Sequence, residues 1–223
     1  MNNNITNLNN KIIKCRSCRR LINFRNKIIK HKRKQFIDQK YWGKPITGFG
    51  DIKGKILFVG LAPAAHGGTR TGRVFTGDKS SDFLYRCLYR ANISNQENSD
   101  HVDDGLKLKN AYITAALKCV PPEDKPLKSE LDSCSKFFNN EIILLKNLEV
   151  IVALGKIAFD ACKYFYKKRI ELNKKVKFGH GKIYQLENGI KLVGCYHPSP
   201  RNVNTGRINM LKMIKLFEKV KYL

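Results

Sequence analysis

Four short apolar runs, each leading into Gly or Pro, constrain this chain most. Residues 55–60, 111–117, 150–154 and 190–196 read as strands covered on both faces. Between them lie stretches with helical spacing: 80–91, 129–148, 156 to about 168, and the end of 203–221. Ser80, Ser81 or Asp82 is suited to cap the first of these and Ser129 the second. Strands alternating with helices imply an α/β fold, a three-layer α/β/α sandwich around a four-stranded parallel sheet. Such sheets gather ligands at their carboxyl edge. Two rigid loops reach that edge, Gly60-Leu61-Ala62-Pro63 and His197-Pro198-Ser199-Pro200-Arg201.

The chain's 223 residues suit one domain, read as 11–223. Residues 1–10 are Asn-rich and polar and read as a disordered lead-in. No apolar leader and no run near about 18 apolar residues is present, which implies a cytoplasmic protein with no membrane partner. Lys and Arg number 43 against 18 Asp and Glu, a formal net charge of +25. A charge so far from zero carries a self-repulsion cost and points to a polyanionic partner, nucleic acid. A lysine-rich solvated surface is the plainer reading of the same number.

Seven cysteines, an odd count without an export signal, argue against a disulfide framework. Cys15 and Cys18 have metal-ligand spacing, and Cys119 and Cys134 are separated by a loop and the start of a helix. Four thiolates suit zinc or an iron–sulfur cluster. Cys87, Cys162 and Cys195 fall on apolar faces and read as core. Arg16, Arg19 and Arg20 surround the first pair, either to offset thiolate charge or as solvated residues.

The string from Gly60 through Phe75-Thr76-Gly77-Asp78 resembles the first motif of the uracil-DNA glycosylase superfamily, closest to its family-five branch. The string from His197 to Arg207 resembles that branch's second motif, and the cysteine pattern is similar to the [4Fe–4S] site of families four and five. The resemblance spans about Cys15 to Arg207.

It implies a monomeric enzyme that flips uracil, and plausibly hypoxanthine, out of DNA and hydrolyses the N-glycosidic bond, leaving an abasic site. Phe75 stands at the stacking position, and backbone amides around Gly60, Ala62 and Ala64 would meet the base edge. His197 would stabilise the departing base anion. Leu61 and Ala62 cannot orient water, and the family-five pattern moves that task to Asp78, which by spacing alone is equally a helix cap. His66 either lines the pocket or touches phosphate. Arg201 and Asn202 would wedge into the duplex, and Arg70, Arg73 and Arg207 would contact phosphate. Many relatives place an Asn after the second strand. Here Asp124 or Asn110 is the candidate, which bears on base selectivity. Cys15, Cys18, Cys119 and Cys134 would hold the [4Fe–4S] cluster. The competing readings are an iron–sulfur DNA nuclease, which needs a carboxylate cluster for metal ions, and a non-catalytic nucleic-acid-binding module with structural zinc.

Overall fold

The computed structural model describes residues 4–166, 176–186 and 189–223. Four parallel strands form its centre: β2 (Ile56–Gly60), β3 (Ala111–Ala115), β4 (Val150–Leu154) and β6 (Lys191–Cys195). Two short antiparallel strands, β1 (Phe49–Gly50) and β5 (Ile183–Gln185), extend the sheet to the order β1-β3-β2-β4-β6-β5. The expected four-stranded parallel sheet is therefore the core of a six-stranded mixed one. The added strands have 2 and 3 residues, too short to show a period.

Alternation along each strand sorts side chains to two faces. Phe58, Val152 and Val193 pack with Leu84 and Leu88 of α4 (Lys79–Arg90) and with Met213 and Phe217 of α8 (Met210–Val220). Val59, Ile151 and Leu192 pack on the other side with Phe138 of α5 (Lys128–Leu144) and with Phe159 and Cys162 of α6 (Lys156–Tyr166). The α/β/α layering is as expected. The expected last turn of α6, to 168, lies outside the described residues.

The lead-in reading of 1–10 is corrected. Asn4 caps a helix, α1 (Ile5–Ile13), by accepting the Asn7 N–H at 2.9 Å. Leu8 and Ile12 of that helix are buried against Leu21, Phe137 and the cysteine region. Ile5 packs beside them, so a narrow apolar stripe docks an otherwise polar helix. It is followed by α2 (Arg19–Lys30), which Arg20 ties to Glu130 of α5 through two hydrogen bonds of 2.8 Å.

Candidate active site

All four parallel strands end on one edge, so their outgoing loops share one face of the sheet. β2 and β4 are neighbours whose chains leave toward opposite sides of the sheet, the switch point where open α/β folds form clefts. The loop after β2 includes the short helix α3 (Gly68–Thr71) and ends at the start of α4. The loop after β6 leads into another short helix, α7 (Pro200–Asn204).

Phe75 has φ +48 and its side chain lies over the end of β2. Ring atoms Cε2 and Cζ are 2.7 Å from where a β-carbon on Gly60 would stand, so only glycine leaves room for the ring there. The Phe75 ring centroid is 6.1 Å from that of His197, at 34°. The His197 backbone is held by Asn202, which is itself fixed by Ser199. Asn202 Nδ2 donates to the His197 carbonyl at 2.9 Å, while Ser199 Oγ accepts the Asn202 N–H and caps α7. Burial pushes the His197 imidazole below its ordinary pKa, with the Asp124 carboxylate pulling the other way. The ring is therefore neutral near pH 7 and offers an uncharged N–H.

Asp78 is the helix cap that its spacing allows, and one carboxylate oxygen is left over. Its Oδ1 accepts the Ser80 and Ser81 N–H groups at 2.9 and 3.0 Å, and Ser81 Oγ accepts the Asp78 N–H in return, a reciprocal cap on α4. Asp78 therefore replaces Ser80, Ser81 and Asp82 as the capping residue. Its Oδ2 faces Gly67, where a β-carbon would come within 2.0 Å, and carries no hydrogen bond among the described residues. Burial raises the Asp78 pKa above the usual carboxylate range, with the two amide donors opposing it.

A cleft of about 910 Å³ opens beside Asp78. Ala64, His66, Arg70 and Asp124 share its wall, together with a segment that the sequence left unassigned: Arg33, Phe36 and Gln39. Phe75 and His197 lie outside that wall, and Asp124 connects the two regions by lining the cleft while its charge reaches His197. His66 Nδ1 is 2.9 Å from the Tyr41 hydroxyl. Arg70 stacks on Phe36 at 4.0 Å and donates to Gln39, to the His66 carbonyl and to the Gly77 carbonyl. It braces the wall, a role that spacing alone does not signal.

Several site expectations change. Arg73 is 5% exposed and paired with Asp104 at 2.6 Å, so it is not offered to phosphate. Asn110 opens β3 at the amino edge of the sheet, far from the loops, where its Oδ1 accepts the Lys55 N–H. Asp124 is the one of the two selectivity candidates that reaches the cleft. Ala62 is packed toward Leu117 and Cys134 rather than lining the cleft. Asn202 braces His197. Arg201 and Arg207 are exposed, the latter stacked 5.0 Å from the Tyr196 ring.

Cys15, Cys18, Cys119 and Cys134 line one small cavity of about 20 Å³ with Leu21, Leu117 and Phe137. Arg25 Nη1 donates to Cys119 Sγ at 3.1 Å and the Lys118 N–H to Cys134 Sγ at 3.3 Å. Burial pushes the Cys119 thiol up to about 12 and the Cys134 thiol to about 11. Among the described residues, no group of three or more His, Cys, Asp or Glu side chains is arranged as the ligands of one metal ion. The remaining three cysteines are buried in the two sheet-facing cores.

The profile of the Uracil DNA glycosylase superfamily matches residues 47–221. The chain is 41% identical over 220 residues to the Type-5 uracil-DNA glycosylase of Mycobacterium bovis, covering 98% of this chain and 81% of that protein. It is 41% identical over 209 residues to the Type-5 enzyme of Thermus thermophilus, covering 94% and 93%. Identity to the Type-4 uracil-DNA glycosylase of Archaeoglobus fulgidus is 28% over 158 residues, covering 69% of this chain and 70% of that one. A profile match across most of the chain, and identity at this level over nearly full lengths, place the chain in the uracil-DNA glycosylase superfamily, in its type-5 branch.

Proposed function

We propose that this chain is a DNA repair glycosylase that removes uracil from DNA by hydrolysing the N-glycosidic bond. The observation that carries this reading is the approach of Phe75 and His197 from two separate loops at one sheet edge, with Asp78 of the first loop on the adjoining cleft. The named activity of the type-5 relatives supports it.

A base within the duplex is unreachable and is first swung out. Phe75 gives the extruded base a flat apolar surface. As the C1′–N1 bond breaks, its electron pair passes to the base and positive charge builds on the sugar. Neutral His197 donates to the base oxygen on which that charge collects. A neutral donor suits this role, because it stabilises the anion without surrendering a full proton. Asp78 uses its unbonded Oδ2 to orient water, accepts its proton as the oxygen joins C1′, and offsets the sugar's charge. The wide cleft and the absence of an Asn at the Asp124 position favour acceptance of hypoxanthine as well. The exposed Arg201 and Arg207 serve the duplex, within a strongly cationic surface.

Cys15, Cys18, Cys119 and Cys134 would hold a [4Fe–4S] cluster. Their shared apolar cavity and the two N–H donors aimed at sulfur suit thiolates bound to iron. The similarity of the cysteine pattern to the [4Fe–4S] site of families four and five favours iron–sulfur over zinc. When bound, the cluster supplies a cross-link between α2, the loop after β3 and α5.

The test is chromatographic. Duplex DNA carrying uracil or hypoxanthine is incubated with purified protein, and free base is measured. Release of uracil, with the sugar–phosphate strand intact until alkali is added, is expected. Unreleased base, or magnesium-dependent strand cleavage, would overturn the reading.

A further inference from the structure

Phe75 is presented by a left-handed backbone, φ +48, that a bulky residue rarely adopts. A set of buried polar groups holds it there. Arg73 Nε donates to Thr76 Oγ1 at 2.9 Å, Thr76 Oγ1 lies 2.8 Å from Ser99 Oγ, and Ser99 Oγ donates to the Phe75 carbonyl at 3.0 Å. Arg73 Nη2 also donates to Ser99 Oγ at 3.1 Å, and the Thr76 hydroxyl donates to the Val74 carbonyl at 3.2 Å. The Ser99 carbonyl also takes the Gly77 N–H at 2.7 Å, so one residue brackets Phe75–Gly77 on both sides. Asp104 grips the Arg73 guanidinium with two bonds, of 2.9 and 2.6 Å.

Thr76 and Ser99 are fully buried, and the Arg73 and Asp104 side chains are 5% and 7% exposed. None of the four lines the cleft. They are closed off from both DNA and water. Apolar residues of the same volume would fill this space at least as well, because a buried ion pair is weak as a source of stability. What directional hydrogen bonds add is placement.

We propose that Arg73, Ser99 and Asp104 are positioning residues that fix the Phe75 platform over Gly60 and so determine how tightly an extruded base is held. This inference rests on the glycosylase reading given above. The network acts on the base alone. Contacts to phosphate and to the gap in the duplex come from other loops.

The experiment compares two duplexes, one with an uncleavable 2′-fluoro-2′-deoxyuridine and one with a tetrahydrofuran abasic analogue. Ser99→Ala should weaken binding of the base-containing duplex about tenfold, the scale of one lost stacking contact. Binding of the abasic duplex should stay within about twofold, as for a site without a shared partner. In a Phe75→Ala background, Ser99→Ala should add almost nothing, because the platform it serves is gone. Thr76→Val, which keeps shape while breaking the relay, should repeat the pattern and serves if Ser99→Ala does not fold. Equal weakening of both duplexes, or full additivity with Phe75→Ala, would overturn the inference. If the unaltered protein releases no uracil, the glycosylase reading falls and this inference with it. If it is active and the variants bind both duplexes as it does, the inference alone falls.

Discussion

The Phe75 ring occupies the space that a side chain on Gly60 would need, its edge 2.7 Å from that β-carbon position. Strand end and platform are thus fitted to one another across 14 intervening residues. Gly60→Ala should displace the ring and lower the rate of uracil release by about tenfold, the scale of a misplaced stacking contact. Binding to an abasic duplex should persist. A variant with the unaltered rate would separate the ring from base binding.

Asp78 caps α4 through Oδ1 and in the proposed reaction uses Oδ2 to orient water, and two substitutions separate these tasks. Asp78→Asn keeps a capping oxygen and should melt near the unaltered protein. Asp78→Ala should lose about 1 kcal/mol of stability. Both should slow uracil release by about 10²-fold or more, the usual range for a lost general base. If Asp78→Asn retained full activity, Asp78 would be a cap only.

The pH dependence follows from the same carboxyl. Burial raises its pKa, so the anion that accepts the proton from water forms at a higher pH than an ordinary carboxylate. The rate should fall as pH drops through a value above about 3.9, and Asp78→Asn should abolish this acid limb. His197 shifts the opposite way, below about 6.5, so the ring stays neutral across the neutral range. A limb unmoved by Asp78→Asn would assign the titration elsewhere.

The cysteine cavity makes a compositional prediction. Anaerobically purified protein should be brown and carry about four iron atoms per chain. Cys119→Ser should remove the colour and lower the melting temperature, since bound metal contributes folding free energy directly. Arg25 points at the Cys119 sulfur, and Arg25→Met should make the cluster easier to lose to a chelator. Colourless, zinc-loaded protein that melts as before would contradict the iron assignment.

A stability test lies behind β3, where Lys118 pairs with Glu141 in the core, their side chains 3% and 0% exposed. Glu141 also accepts from Thr114 at 2.8 Å. Lys118→Met leaves a buried carboxylate without its cation and should cost about 3–5 kcal/mol. A denaturation midpoint within error of the unaltered protein would show that the pair is dispensable.

The sheet's centre was legible because β2, β3, β4 and β6 are apolar on both faces and run into loops that carry Gly or Pro. β1 and β5 were not, since two or three residues carry no period. α1 was hidden by its Asn-rich surface, as few residues, Ile5, Leu8 and Ile12, dock it. The nearness of Phe75 to His197 agrees with the resemblance, and the Asp78 cap of α4 was legible from its spacing ahead of the helix. Arg73 was misassigned because an arginine in a Gly/Thr loop looks solvent-facing, and its partner Asp104 lies 31 residues on. Asn110 was misassigned because spacing from a strand does not say which end of the strand a residue flanks. The wall formed by Arg33, Phe36 and Gln39 gave no signal, since its link to Arg70 and His66 exists only after folding.

Single-turnover uracil release by His197→Ala, measured beside its binding to the uncleavable duplex, tests the central claim most directly. The account predicts release slower by about 10²-fold or more, because the departing base loses its donor. Binding should be largely preserved, because Phe75 still holds the base. Release at the unaltered rate would contradict the assignment of the sheet edge as the place where the glycosidic bond is broken.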